Sequence, residues 1–172
     1  MKKILFLLGL LSLFFSCKTG TKSKNELIIS LERKSSSSVD GTVKFSEKNG
    51  FVTLVAKIKG LKPGIHAIHI HEKADCTAAD GTSAGGHWNP TFKKHGKFGV
   101  GEYHAGDIGN FKADKKGDGT ITFKTDQWCI GCDDPTKNIL GKGIIVHQGA
   151  DDFETQPTGN AGARVACSGI IR

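Results

Sequence analysis

Apolar and polar residues alternate in short stretches along this chain, and the sustained 3.6-residue rhythm of an amphipathic helix is nearly absent. Residues 27–32, 39–45, 52–58, 66–71, 120–125 and 143–147 each read as a strand. In 52–58, Val52, Leu54, Ala56 and Ile58 share one face while Lys57 points away, as in an antiparallel strand with one buried face. Glycines beside Lys, Asp or Asn separate these stretches, where turns call for positive φ. The pattern predicts an antiparallel all-β domain, a sandwich or flattened barrel.

Three regions break the alternation. Residues 73–103, rich in Gly, His and Lys, and 148–163, rich in Asp, Gly and Thr, are long for loops of a compact domain, which makes them candidates for function. At the start, Lys2 and Lys3 precede an apolar run over 4–15, and Ser16 leads into Cys17. That run is short for a membrane span and reads as a signal peptide over 1–16. The small residue before Cys17 resembles the site at which bacterial lipoproteins are cleaved and acylated, so Cys17 is the expected lipidated terminus. Residues 17–25 then form a polar linker, and the folded domain occupies 26–172.

Charge changes this picture little. The chain carries +7, but five of its 24 basic residues (Lys2, Lys3, Lys18, Lys22 and Lys24) precede the domain, leaving 19 basic against 17 acidic groups. With no basic run interleaved with aromatics, a nucleic-acid partner is not expected.

The chemistry lies in the histidines. All seven fall between positions 66 and 147: His66, His69, His71, His87, His95, His104 and His147. His69 and His71, one residue apart in a strand, project from the same face and can hold one ion together. His147 ends the apolar stretch Ile144-Ile145-Val146 at the edge of a polar loop and can add a further ligand. His87, His95, His104 and Asp107 offer three imidazoles and a carboxylate, a tetrahedral set suited to zinc. His66 is out of step with His69 and His71 and reads as a structural, hydrogen-bonded histidine.

From about Glu26 to Arg172 the chain resembles the copper-zinc superoxide dismutases, of a bacterial lipoprotein type. The resemblance rests on His69-Ile70-His71-Glu72, Thr82-Ser83-Ala84-Gly85-Gly86-His87-Trp88-Asn89-Pro90, Lys94-His95-Gly96, His104-Ala105-Gly106-Asp107-Ile108-Gly109-Asn110 and Gly159-Asn160-Ala161-Gly162-Ala163-Arg164-Val165-Ala166-Cys167. It implies an eight-stranded antiparallel Greek-key fold with long metal-binding and electrostatic loops. It also implies copper on His69, His71, His87 and His147, zinc on His87, His95, His104 and Asp107, and His87 as the bridge that carries a proton. The implied activity is disproportionation of superoxide to oxygen and hydrogen peroxide by Cu(II)/Cu(I) cycling. Arg164 would attract and orient the anion, and Asp151 would hydrogen-bond His69 and His95, linking the two metals.

With Cys17 lipidated, four cysteines remain, an even number that suits disulfides in an exported protein. The resemblance pairs Cys76 with Cys167, a closure worth about 4 to 5 kcal/mol in the chain-entropy model. Cys129 and Cys132 lie outside the family pattern; a metal clip or redox pair fits them, and a local structural disulfide is the preferred reading. Residues 148–163 form a shorter loop than in many eukaryotic members and carry no lysine, so steering of the anion would rest on Arg164 with lysines elsewhere, such as Lys93, Lys94 or Lys142. The expected setting is a bacterial cell envelope, with the protein held to a membrane through Cys17 and facing the periplasm or exterior. Monomer and homodimer both fit. The competing readings are a copper-binding domain without efficient turnover and a structural lipoprotein stapled by zinc alone.

Overall fold

A computed structural model describes residues 25–172; the expected signal peptide over 1–16, Cys17 and most of the expected linker lie outside the described residues. Eight strands follow in order: β1 (Glu26–Arg33), β2 (Asp40–Lys48), β3 (Phe51–Lys59), β4 (Gly64–His71), β5 (Gly109–Ala113), β6 (Gly119–Thr125), β7 (Gly143–His147) and β8 (Arg164–Gly169). The helical content of the described residues is one 3-10 turn at Thr82–Ala84, and none of their helices is long and apolar enough to cross a membrane.

The strands close into an antiparallel barrel in the order β1-β2-β3-β6-β5-β4-β7-β8, with β8 returning to β1. Two seams are thin: β5 meets β6 through the single pair Ala113↔Gly119, and β1 meets β8 through Glu32↔Cys167 and Arg33↔Ala166. The barrel is thereby flattened into two four-stranded halves, which reconciles the sandwich and barrel expectations. Six of the strands follow the predicted segments. The alternation did not mark β5 or β8, although the family resemblance implied eight strands.

β3 shows why alternation predicts burial. Val52, Leu54, Ala56 and Ile58 are buried in the interior with Val43 and Phe45 of β2, while Lys57 is exposed. On β4 and β7 the same parity positions the chemistry. Ile68, Ile70, Ile144 and Val146 enter the core, so His69, His71 and His147 stand on the opposite, outer face. The loops over 72–108 and 148–163 cover that face, and all three histidines are buried despite lying outside the barrel.

Both disulfides form, Cys76–Cys167 and Cys129–Cys132, as an oxidising, exported setting favours. The first ties the metal loop to β8 beside a small apolar cluster of Ala84, Ile145 and Cys167. The second is local, next to buried Trp128, whose indole Nε1 donates to Ala105 O at 2.8 Å.

Leu54→Ala should lower stability by about 3 kcal/mol, since it opens a cavity in a closed interior. Val55→Ala, on the other face of the same strand, should cost less than about 1 kcal/mol. Urea unfolding of the disulfide-intact protein measures both, and equal losses would contradict this assignment of faces.

Candidate metal centre

His69 and His71 reach the site from β4, His147 from the end of β7, and His87, His95, His104 and Asp107 from the long loop. Backbone bonds pin that loop across β4. Trp88 N donates to Ile70 O at 2.8 Å, Ile70 N donates to Gly106 O at 2.9 Å, and Gly106 N donates to Trp88 O at 3.0 Å. Residues distant in sequence thus arrive beside His69 and His71 on one rigid frame.

Two groups of four potential ligands result: His69, His71, His87 and His147, and His87, His95, His104 and Asp107. Within each group one ligand atom per residue lies within 4.8 Å of all the others, and all seven side chains are buried. His87 belongs to both.

Hydrogen bonding decides what the rings can do. In each of the six histidines one buried ring nitrogen has no hydrogen-bond partner: Nδ1 of His69, His95 and His104, and Nε2 of His71, His87 and His147. The opposite nitrogens are engaged. His69 Nε2 meets Asp151 Oδ2 at 2.9 Å, and His71 Nδ1 meets Gly85 O at 2.9 Å. His147 Nδ1 meets Gly162 O at 3.4 Å, His95 Nε2 meets Asp151 Oδ1 at 3.0 Å, and His104 Nε2 meets Lys93 O at 3.1 Å. Each acceptor oxygen calls for an N–H on the nitrogen it faces, which in a neutral ring leaves the orphaned nitrogen with a free lone pair. Buried lone pairs converging without a donor are what a metal ion satisfies and what an empty polar core would not tolerate.

Asp107 shows the same ambiguity in the second group. His95 Nδ1 lies 3.0 Å and His104 Nδ1 3.3 Å from its carboxylate, yet neither contact has hydrogen-bond alignment. Those atoms stand side by side, as ligands of one ion do. His87 Nδ1, at 2.7 Å from Asp107 Oδ1, makes a hydrogen bond when protonated and a ligand–ligand edge when an ion lies between them. The residues present therefore fit two ions sharing His87, with an all-imidazole set on one side and a mixed N/O set on the other.

Asp151 joins the two groups from behind, with one oxygen on His69 and the other on His95. It is itself fixed by a reciprocal pair with Asn110: Asp151 N donates to Oδ1, and Nδ2 donates to Asp151 O, both at 2.8 Å. Gly159 makes this packing possible. Its φ is +69°, and a Cβ there would lie 1.8 Å from Asp151 Oδ1 and 2.6 Å from His95 Nε2. Gln156 clamps the His95 backbone, accepting from its N and donating to its O, both at 2.9 Å. The sequence reading assigned no role to Asn110, Gln156 or Gly159, although Asn110 and Gly159 fall within the quoted motifs.

His66 is a buried structural histidine, as its parity implied. Its ring nitrogens face His147 O at 3.0 Å and Lys62 O at 2.7 Å. Arg164 opens β8 opposite His147, where a bulge in the β7–β8 register re-aims both side chains. Its guanidinium is half-buried, donates from Nη1 to Gly81 O at 2.8 Å, and lines a cleft with His71, His147, Thr158, Asn160, Ala161 and Gly162. Lys93 and Lys94 line a different depression, beside His87 and His104, and the Lys142 ammonium sits 5.6 Å from the centre of the Trp88 ring. None of the three lysines lines the Arg164 cleft.

Electrostatics favour neutral rings at His71, His87 and His147. Burial holds His71 and His147 well below the ordinary imidazole pKa, with the neighbouring histidines adding to the effect. Burial likewise brings His87 down to about 4, against the pull of Asp107. His95 goes the other way: burial opposes protonation, but the Asp107 and Asp151 carboxylates outweigh it and raise the imidazole to about 9. Asp107 is held below the usual carboxylate range because the close approach of His104, His87 and His95, with the His104 backbone N–H, outweighs its desolvation.

Metal-free protein at pH 7 therefore carries a proton on His95 that an ion must displace. Zinc titration calorimetry in buffers of different ionisation enthalpy should show about one proton released per ion at pH 7. The release should fade as pH rises past about 9, where His95 is already neutral. Proton-free uptake at pH 7 would contradict the coupling.

Residues 39–171 match the model of the family described as copper/zinc superoxide dismutase. A solved structure titled as that of the clock protein EA4 is similar over 88% of this chain and 98% of its own, with a TM-score of 0.75 and 32% sequence identity. The family match takes in both four-residue groups, the cleft and the Cys76–Cys167 bridge, and the chain belongs to the copper/zinc superoxide dismutase family.

Proposed function

We propose that this protein is a superoxide dismutase with copper on His69, His71, His87 and His147 and zinc on His87, His95, His104 and Asp107. The observation that carries this reading is the set of six buried imidazole nitrogens, one per ring, left without partners and grouped around a shared His87. When bound, copper supplies one-electron exchange between Cu(II) and Cu(I), which oxidises one superoxide to oxygen and reduces a second to hydrogen peroxide, whereas zinc undergoes no redox change.

The chain's own residues account for the rest. Arg164 is the one permanently charged group lining its cleft, beside His71 and His147, whose imidazoles burial keeps neutral. An entering monoanion therefore meets a fixed positive guanidinium at the place where two first-group ligands reach the cleft wall. His87 Nε2, buried and without a partner, is the atom suited to hold a proton for the peroxide product. Asp151 keeps His69 and His95 in fixed orientation through one shared carboxylate, which couples the two groups.

Export and lipid attachment at Cys17 are supported by the charged, apolar and small-residue pattern of residues 1–17 and by the two disulfides of the domain. Attachment would hold the domain at a membrane of the bacterial cell envelope, with superoxide as its small-molecule partner.

Pulse radiolysis tests the activity on a soluble form starting at Lys18, loaded with copper and zinc, beside the same protein loaded with zinc alone. Fast decay of superoxide in the copper-loaded sample alone is the expected result. Equal, slow decay in both would leave a metal-storage or zinc-stapled structural domain. Arg164→Ala should lower the rate by about tenfold and flatten its dependence on ionic strength with both metals retained. An unchanged rate would remove Arg164 from the mechanism.

A further inference from the structure

Arg164 can act on an anion only if its guanidinium is held in place, and the residues that hold it lead to a lysine outside the family motifs. Gly81 O accepts from Arg164 Nη1, and Gly81 belongs to the loop that the Cys76–Cys167 bridge ties to β8. Against this loop lies Lys34, the residue after β1. It is 8% exposed, an unusual state for a lysine. Its ammonium donates to Cys76 O and lies 3.3 Å from Glu32 Oε2. Glu32 is 66% exposed, so the carboxylate compensates the buried charge only in part and the Cys76 carbonyl takes a share.

The turn that follows grips both sides of the same joint. Lys34 N donates to Val165 O at 3.0 Å and Ser35 N to Ala79 O at 2.8 Å. Ser35 Oγ donates to Arg164 O at 2.9 Å, and Ser37 Oγ to Val165 O at 2.6 Å. Ser35 and Ser36 both sit in the left-handed region, with φ of 52° and 55°, a strained conformation for two consecutive residues that are not glycine. Gly81 fills the space between: a Cβ there would meet Arg164 Cβ at 3.4 Å and Lys34 Cγ at 3.6 Å. A buried ammonium and a strained turn thus converge on the loop and the strand end that carry Arg164.

We infer that Lys34, with the turn at residues 35–37, is a positioning residue for Arg164, fixing the 76–81 segment whose Gly81 carbonyl orients the guanidinium. Lys34 acts through the Cys76 carbonyl and does not line the Arg164 cleft. This assignment deepens the proposed function, because it gives the anion-orienting arginine a support outside the motif that contains it.

The test measures Arg164 itself. In zinc-loaded, copper-free protein, NMR follows exchange of the Arg164 guanidinium protons with water. In copper- and zinc-loaded protein, an optical titration measures the affinity for azide as a small monovalent anion. Lys34→Met should speed the exchange and weaken azide binding, each by about tenfold, with both metals bound and both disulfides intact. Lys34→Arg, which keeps the charge and its donors, should stay within about twofold of the wild type. If Lys34→Met does not fold, Ser35→Ala carries the test, since its lost hydroxyl bond to Arg164 O should raise the exchange rate in the same direction. Unchanged exchange and azide affinity in the variant tested would overturn the assignment, even if its melting temperature fell, because a purely structural lysine would lower stability alone. A wild type that does not consume superoxide would sink the functional proposal and leave these two readouts to decide the role of Lys34.

Discussion

A buried imidazole has two nitrogens to satisfy, and in the six histidines of this centre the protein leaves one of them without a hydrogen-bond partner. Gly85 O, Gly162 O, Lys93 O and the two oxygens of Asp151 each hold one nitrogen of a different ring. That fixes tautomer and orientation, and so determines which lone pair is left facing inward. Much of the loop architecture serves to place those oxygens. Gly159 admits Asp151 and His95 to contact, Asn110 locks the Asp151 backbone, and Gln156 locks the His95 backbone. Six buried ring nitrogens without partners converge with the Asp107 carboxylate, an arrangement that an ion at each group would satisfy.

The barrel contributes rigidity and parity. Its apolar interior takes the even-numbered residues of β4 and of the first part of β7, which sends His69, His71 and His147 to the other face, where the loops bury them. Two different surfaces of the same strands therefore serve stability and chemistry. The Cys76–Cys167 bridge belongs to the outer surface, where it packs with Ala84 and Ile145, and the loop it ties down bonds Arg164. The local Cys129–Cys132 bridge lies elsewhere, flanking Ile130 and next to Trp128.

Features set by periodicity were legible in the sequence, and features set by long-range contact were not. Alternation located six strands and put His69 and His71 on one face. β5 (Gly109–Ala113) escaped it because five residues beginning with Gly and Asn resemble a turn. β8 (Arg164–Gly169) escaped because the bulge opposite His147 sends both Val165 and Ala166 toward the core. The ligand sets, Asp151 and the Cys76–Cys167 pairing were reached through motif resemblance, since spacing alone left their partners open. Lys34 was invisible to either route: a lysine after a strand ordinarily points to water, and nothing in its neighbours Arg33 and Ser35 signals that a disulfide loop closes over it.

The central claim is that the unpartnered nitrogens define two different metal positions that share His87. Anomalous diffraction from crystals of the protein loaded with both metals, recorded at the copper and zinc absorption edges, tests it most directly. The account predicts one copper peak among His69, His71, His87 and His147 and a separate zinc peak among His87, His95, His104 and Asp107. A single peak, or both elements mixed at one group with the other empty, would contradict it.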